Sequence, residues 1–169
     1  MISRRNFLFT AVATLTVPRD LLSAIPRDPR SAPRDPLKPR DPRRAPSVVT
    51  VYKDPSCGCC KRWVKHLTEN GFVVTAHDVQ NMDEIKRTMN VPKSVEACHT
   101  AIVDHYVVEG HVPAPVIKKL IAERPAVLGI AVPGMPTGSP GMEVASGAME
   151  HYDVLAFDRD GKTRIYARR

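Results

Sequence analysis

The chain lacks the usual signatures of several large protein classes. Its uncharged apolar stretch, Phe7 to Val17, runs for about eleven residues, well short of the roughly 20 that a membrane span needs. No glycine-rich loop of the P-loop or dinucleotide form is present, and there is no Gly-x-Ser-x-Gly nucleophile turn, so neither nucleotide chemistry nor acyl hydrolysis is suggested. Gly134, Gly138, Gly141 and Gly147 read instead as turn residues. Aromatic residues make up only 5% of the 169 positions, and a 43% apolar share suits one compact domain with an extension rather than a multidomain chain. The four cysteines are too few for a disulfide-stapled scaffold, and three of them crowd into Cys57–Cys60. That pattern suits chemistry better than cross-bracing.

A net charge of +7 invites a nucleic-acid reading until the charge is located. Residues 1–45 carry nine Arg and one Lys against four Asp, whereas residues 46–169 carry 15 basic against 14 acidic side chains. The basicity belongs to the leader. A nucleic-acid-binding domain needs its basic face on the folded body, so no nucleic-acid partner is expected.

The leader divides in two. Ser3-Arg4-Arg5-Asn6-Phe7-Leu8 followed by the apolar stretch has the layout of an export signal, and the paired arginines resemble the twin-arginine type. We assign residues 1–24 to this signal, which leaves no stable membrane span once it is removed. Pro-Arg-Asp recurs four times, starting at Pro18, Pro26, Pro33 and Pro39, and residues 25–46, which hold the last three copies, are assigned to a spacer. Proline fixes φ and removes donors, and the alternating charges bury nothing, so an extended, solvated linker is expected. The folded domain then spans residues 47–169.

Within it, Val48–Tyr52 reads as a strand that ends at Asp54-Pro55-Ser56 and leads into the cysteines. A helix follows from Cys59 to Asn70, with Trp63 as its core residue and His66 facing solvent. A second strand is expected over Phe72–Val79 and a second helix over Met82–Met89, whose early Asp83 and Glu84 and late Lys86 and Arg87 suit its dipole. Thr100–Val103 and Tyr106–Gly110 form a hairpin, with His105 as a turn residue, and a helix runs from Val116 to about Arg124. Residues 129–147 read as a loop, and Asp153–Phe157 with Thr163–Ala167 as a last hairpin. This order is that of an α/β, thioredoxin-like sheet with flanking helices plus a C-terminal hairpin.

The chemistry centres on Cys57-Gly58-Cys59-Cys60-Lys61. Thiolates at a helix start are favoured by unpaired N–H groups, and Lys53, Lys61 and Arg62 add positive charge nearby. Two functions fit. Cys57 and Cys60 have the spacing of a redox dithiol, the basis of a thiol-disulfide oxidoreductase; with Cys59 included, three thiolates can converge on a soft metal ion. A third thiol invites wrong pairings in a redox site but adds a ligand to a metal site. Cys98 lies in the loop before the hairpin, which in this arrangement passes beside the first helix and brings four sulfurs together. Cys98-His99 also occupies the loop where a thioredoxin-type enzyme has its cis-proline. Three cysteines in four positions suit a bridged Cu(I) cluster better than a single tetrahedral zinc, the main competitor. Met135 and Met142, in the Gly- and Pro-rich loop, are thioether candidates. His99 is a candidate ligand or sulfur partner and His111 a candidate lining residue, while Met82, Met89 and Met149 read as core or surface.

The segment from Val48 to Arg169 resembles the periplasmic copper-resistance family typified by CopG. The likeness is carried by Tyr52–Cys60, Glu96–Ala101, Val108–Pro113, Gly129–Pro136 and Gly138–Met142. It implies a thioredoxin-like fold, a periplasmic location and copper held by Cys57, Cys59, Cys60 and Cys98, with room for several Cu(I) ions. It also implies other periplasmic copper-handling proteins as candidate partners. The Pro-Arg-Asp spacer has no expected counterpart in that family.

Overall fold

The computed structural model describes residues 46–169. The expected export signal lies outside the described residues, as does the spacer apart from Pro46.

Among the described residues the chain forms β1 (Val48–Lys53), α1 (Gly58–Glu69), β2 (Val73–Asp78), α2 (Met82–Thr88), β3 (His99–Val103), β4 (Tyr106–Glu109), α3 (Ala114–Glu123), β5 (Gly129–Ala131), β6 (Asp153–Phe157) and β7 (Thr163–Arg168). A 3-10 turn at Lys93–Val95 precedes β3. The strands build one seven-stranded mixed sheet in the order β2-β1-β3-β4-β5-β6-β7. β1 pairs with β2 in parallel and with β3 antiparallel, so the first strand lies between them. The α/β class expected from the element order is what the chain adopts, and the order of its first six elements is compatible with a thioredoxin-like layer.

Alternation along the strands separates two cores. Val108, Ile130, Val154 and Ala156 join the larger cluster with Trp63 and Leu67 of α1 and Ile117 and Leu120 of α3. Their neighbours Val107, Ala131 and Phe157 point the other way, onto Val91 and Val95. One sheet face is thus covered by α1 and α3. The other is covered by the segment that follows α2.

Two readings of the sequence are corrected here. Residues 129–131 form a central strand rather than the start of a loop, and Gly129 is required there because a Cβ would lie 2.1 Å from the Val107 carbonyl oxygen. Gly129 thus marks close approach of two backbones. His66 is half-buried rather than solvent-facing: its Nε2 accepts from the Ala114 N–H at 3.1 Å. Pro113, the N-cap of α3, has no side chain able to cap, so a neighbouring helix supplies the acceptor.

Accepting that bond requires a neutral imidazole, and burial holds the His66 pKa below its ordinary 6.5. The sign follows: the folded state favours the neutral ring, so this stability is present above 6.5 and is lost as pH falls through the lower folded-state value. His66→Ala should cost about 1 kcal/mol at neutral pH, the scale of a lost cap. The gap between the parent and variant melting curves should narrow as pH falls below 6.5 and protonation of the ring removes the acceptor. Thermal denaturation of both proteins across this pH range checks it; a constant gap would contradict the capping role.

Candidate metal centre

The turn after β1 is self-bonded. Asp54 Oδ1 accepts from the Ser56 N–H at 2.7 Å and also from the Ser56 hydroxyl, bonds that hold this carboxyl below its usual range, and the Cys57 N–H donates to the Asp54 carbonyl at 3.1 Å. α1 then begins with Cys57 as its N-cap, whose sulfur accepts from the Cys60 N–H at 3.3 Å. Serine or aspartate commonly fills such a cap, and no acidic residue occupies the first turn, so sulfur alone faces the positive helix end. Burial of Cys60, Trp63 and Leu67 on one stripe directs Cys60 inward. Cys57 and Cys60 are joined as a disulfide, and Cys59 Sγ lies 3.4 Å from Cys57 Sγ.

The fourth sulfur stands on the residue just before β3. Antiparallel pairing sets His99 opposite Lys53, so Cys98 stands level with the turn that opens α1. Its carbonyl lies 3.8 Å from Cys60 Sγ. Sγ atoms of Cys57, Cys59, Cys60 and Cys98 all fall within 4.8 Å of one another, the convergence expected from the sequence. Cys98, His99 and His111 form a second, overlapping group of the same compactness. Burial pushes the Cys98 thiol up to about 12, with the neighbouring Cys59 adding to the effect.

Both histidines face this thiol. Cys98 Sγ is 3.1 Å from His111 Nε2 and 3.2 Å from His99 Nδ1. His111 Nδ1 lies 2.8 Å from the Pro140 carbonyl, which can only accept; Nδ1 therefore carries the ring proton and Nε2 presents a lone pair to the sulfur. Burial lowers the pKa of both rings, leaving neutral imidazoles at pH 7. His99 packs 4.3 Å from the Trp63 ring, and its Nε2 is a buried nitrogen with no hydrogen-bond partner among the described residues. Thiols, neutral imidazoles and an orphaned buried nitrogen suit a soft or borderline metal cation, and no carboxylate belongs to either group.

A C-terminal strap packs on this end of α1. Arg62 Nε donates to the Gly141 carbonyl at 2.8 Å, while the Gly141 N–H donates to the Glu143 carboxylate at 2.9 Å. Gly141 has φ +88, and a Cβ there would fall 2.8 Å from the Cys59 carbonyl oxygen and 2.9 Å from the Trp63 nitrogen. Met142 follows it, half-buried. Met135 is 53% exposed.

Positive charge near the thiols is arranged differently from the expectation. Lys53 is buried against Asp78, and Arg62 is engaged by the strap. Lys86, read as a helix-dipole residue, is buried in an ion pair with Glu109. His105 is exposed at its hairpin turn, as expected. Sequence reasoning missed the structural roles of Arg62, whose partner Gly141 is 79 residues away, of Gly141, which packs on Cys59 and Trp63 of α1, and of Glu109, which bonds Ala97 and Lys86 at separations of 12 and 23 residues.

An α/β sheet that carries four converging cysteines and two neutral histidines at a helix start defines a thiol-rich, metal-binding class of site. Residues 95–142 match the family described as protein of unknown function DUF411. Two solved structures are similar to the chain: copper resistance protein CopG in form 2, at 46% identity and a TM-score of 0.70, and in form 1, at 46% identity and 0.69; each likeness covers 73% of this chain and 98% of the other. Comparison with curated proteins finds no match. The chain belongs to the CopG copper-resistance family.

Close packing of the strap yields a direct expectation. Gly141→Ala adds a methyl group where backbone atoms stand under 3 Å away and φ is positive, so it should destabilise the reduced, metal-free protein by about 2 kcal/mol, the usual scale of overpacking. Urea denaturation measures this; an unchanged midpoint would show that the strap does not rest on α1.

Proposed function

We propose that this is a periplasmic copper-binding protein of the copper-resistance response, and that it holds Cu(I) through the thiolates of Cys57, Cys59, Cys60 and Cys98. Copper is its bound substrate. The observation that carries the reading is the clustering of all four sulfurs within 4.8 Å, in a chain 46% identical to copper resistance proteins. Thiolates prefer Cu(I), and sulfurs this close can bridge several ions. Met142, on the strap, and Met135 are secondary thioether candidates. The paired arginines of the leader support export, and no helix among the described residues is long and apolar enough to cross a membrane. Other periplasmic copper-handling proteins are the candidate partners.

Oxidation state couples to this role. Formation of the Cys57–Cys60 disulfide passes two electrons to an acceptor such as a partner protein's disulfide, with two protons released only when the pair starts as free thiols, and it removes two thiolates from the ligand set, so oxidation would favour copper release and reduction copper uptake. The same disulfide favours a second reading, a thiol-disulfide oxidoreductase that cycles Cys57 and Cys60. Copper-free disulfide-reductase activity that survives Cys98→Ser but not Cys60→Ser would support that alternative.

The test is an anaerobic titration of the reduced full chain with Cu(I) against a chromogenic chelator, with Zn(II) in parallel. More than one Cu(I) per chain is expected, with uptake lost in Cys98→Ser. Each ligating thiol must shed its proton, most of all the buried Cys98, so affinity should rise from about pH 6 to about pH 8. Failure to compete for Cu(I), with thiols that still form disulfides readily, would contradict the copper reading.

A further inference from the structure

On the α2 side of the sheet, behind the sulfur cluster, three buried polar side chains form a closed ring that metal binding does not use. Thr100 of β3 and Glu109 of β4 are cross-strand partners, and Lys86 reaches both from α2. Lys86 Nζ pairs with Glu109 Oε1 and donates to Thr100 Oγ1 at 3.2 Å, while the Thr100 hydroxyl donates to Glu109 Oε2 at 2.6 Å. Thr100 and Glu109 are fully buried and Lys86 is 4% exposed. Glu109 Oε1 also accepts from the Ala97 N–H at 2.7 Å.

Burying an ion pair is costly, and apolar residues of similar volume are often at least as stabilising. Stability alone therefore gives little reason for the ring. Its connections give a better one. Ala97 immediately precedes Cys98, and Glu109 stands two residues before His111, so one carboxylate ties together the two backbone arms that meet in the 3.1 Å contact between Cys98 Sγ and His111 Nε2. Gly110 completes the join. Its N–H donates to the His99 carbonyl at 3.0 Å, and a Cβ on it would fall 2.6 Å from Ala97 Cβ.

We infer that Glu109, held by Lys86 and Thr100, is a positioning residue for the metal centre. It fixes where the Cys98 sulfur stands relative to His111 and to the cysteines of α1, acting through the Ala97 main chain from the opposite face of the sheet. The inference rests on the metal-binding reading proposed above.

Two readouts on the full chain test it: anaerobic Cu(I) competition in the reduced protein, and peptide-resolved alkylation rates of each cysteine in the reduced, metal-free protein. Glu109→Gln keeps the shape and removes the charge. It should lower Cu(I) affinity about 10- to 100-fold, the range for partners that orient metal ligands, and speed alkylation of Cys98 while leaving Cys59 unchanged. Ile121→Ala, a core substitution on α3, serves as the control for lost stability and should keep the parent affinity. Thr100→Val, which spares the ion pair, gives the same comparison in milder form should Glu109→Gln not fold. Parent-like Cu(I) affinity and Cys98 reactivity in the ring variants would overturn the inference, as would an equal affinity loss in Ile121→Ala. A parent chain that takes up no Cu(I) would defeat the metal-binding reading, and the contrast in Cys98 alkylation would still decide whether Glu109 positions this thiol.

Discussion

The site depends on the antiparallel register that sets His99 of β3 against Lys53 of β1. Cysteines at a helix start are a local feature, and three of the four sulfurs would stand together on any chain that folded α1. The fourth comes from 38 residues further on, and only the β1–β3 pairing brings Cys98 to the same end of the sheet. A one-residue slip would turn His99 and Thr100 to the opposite faces and exchange the metal side for the ion-pair side. The buried faces on both sides of β3 make that slip costly.

The candidate centre is organised by contacts around its thiols and imidazoles. His111 is held in one tautomer by the Pro140 carbonyl, which frees Nε2 for the Cys98 sulfur. Arg62 draws Gly141 against the first turn of α1. Trp63 packs on His99 and anchors its indole to the Val112 carbonyl at 2.9 Å. These contacts hold the candidate ligands through α1 and the Pro140–Gly141 turn.

Much of this was legible in the sequence because it is written locally. β-branched runs and turn residues marked β1, the hairpin and the last two strands, and the cysteine spacing with its strand before and helix after marked the chemistry. The loop with Cys98 followed from the topology that the element order implied. What escaped was decided across the fold. Lys86 carries the charge expected late in a helix, so nothing local distinguishes a dipole residue from one buried against Glu109. Gly129 carries the same letter as the turn glycines, yet its role is to let backbones meet, and Gly141 is a turn glycine that also lets the loop meet α1. His66 looked solvated among charged neighbours because its donor, the uncapped Ala114 N–H at the start of α3, lies 48 residues away. His99 and His111 could be placed near the site but not assigned a tautomer or a contact.

The central claim is that copper sits among the four sulfurs. X-ray absorption at the copper edge of the reduced, Cu(I)-loaded full chain tests it most directly. A first shell dominated by sulfur, with a short copper–copper scattering path that shows bridged ions, is the predicted result. A shell made of nitrogen and oxygen, with no sulfur contribution, would contradict the account.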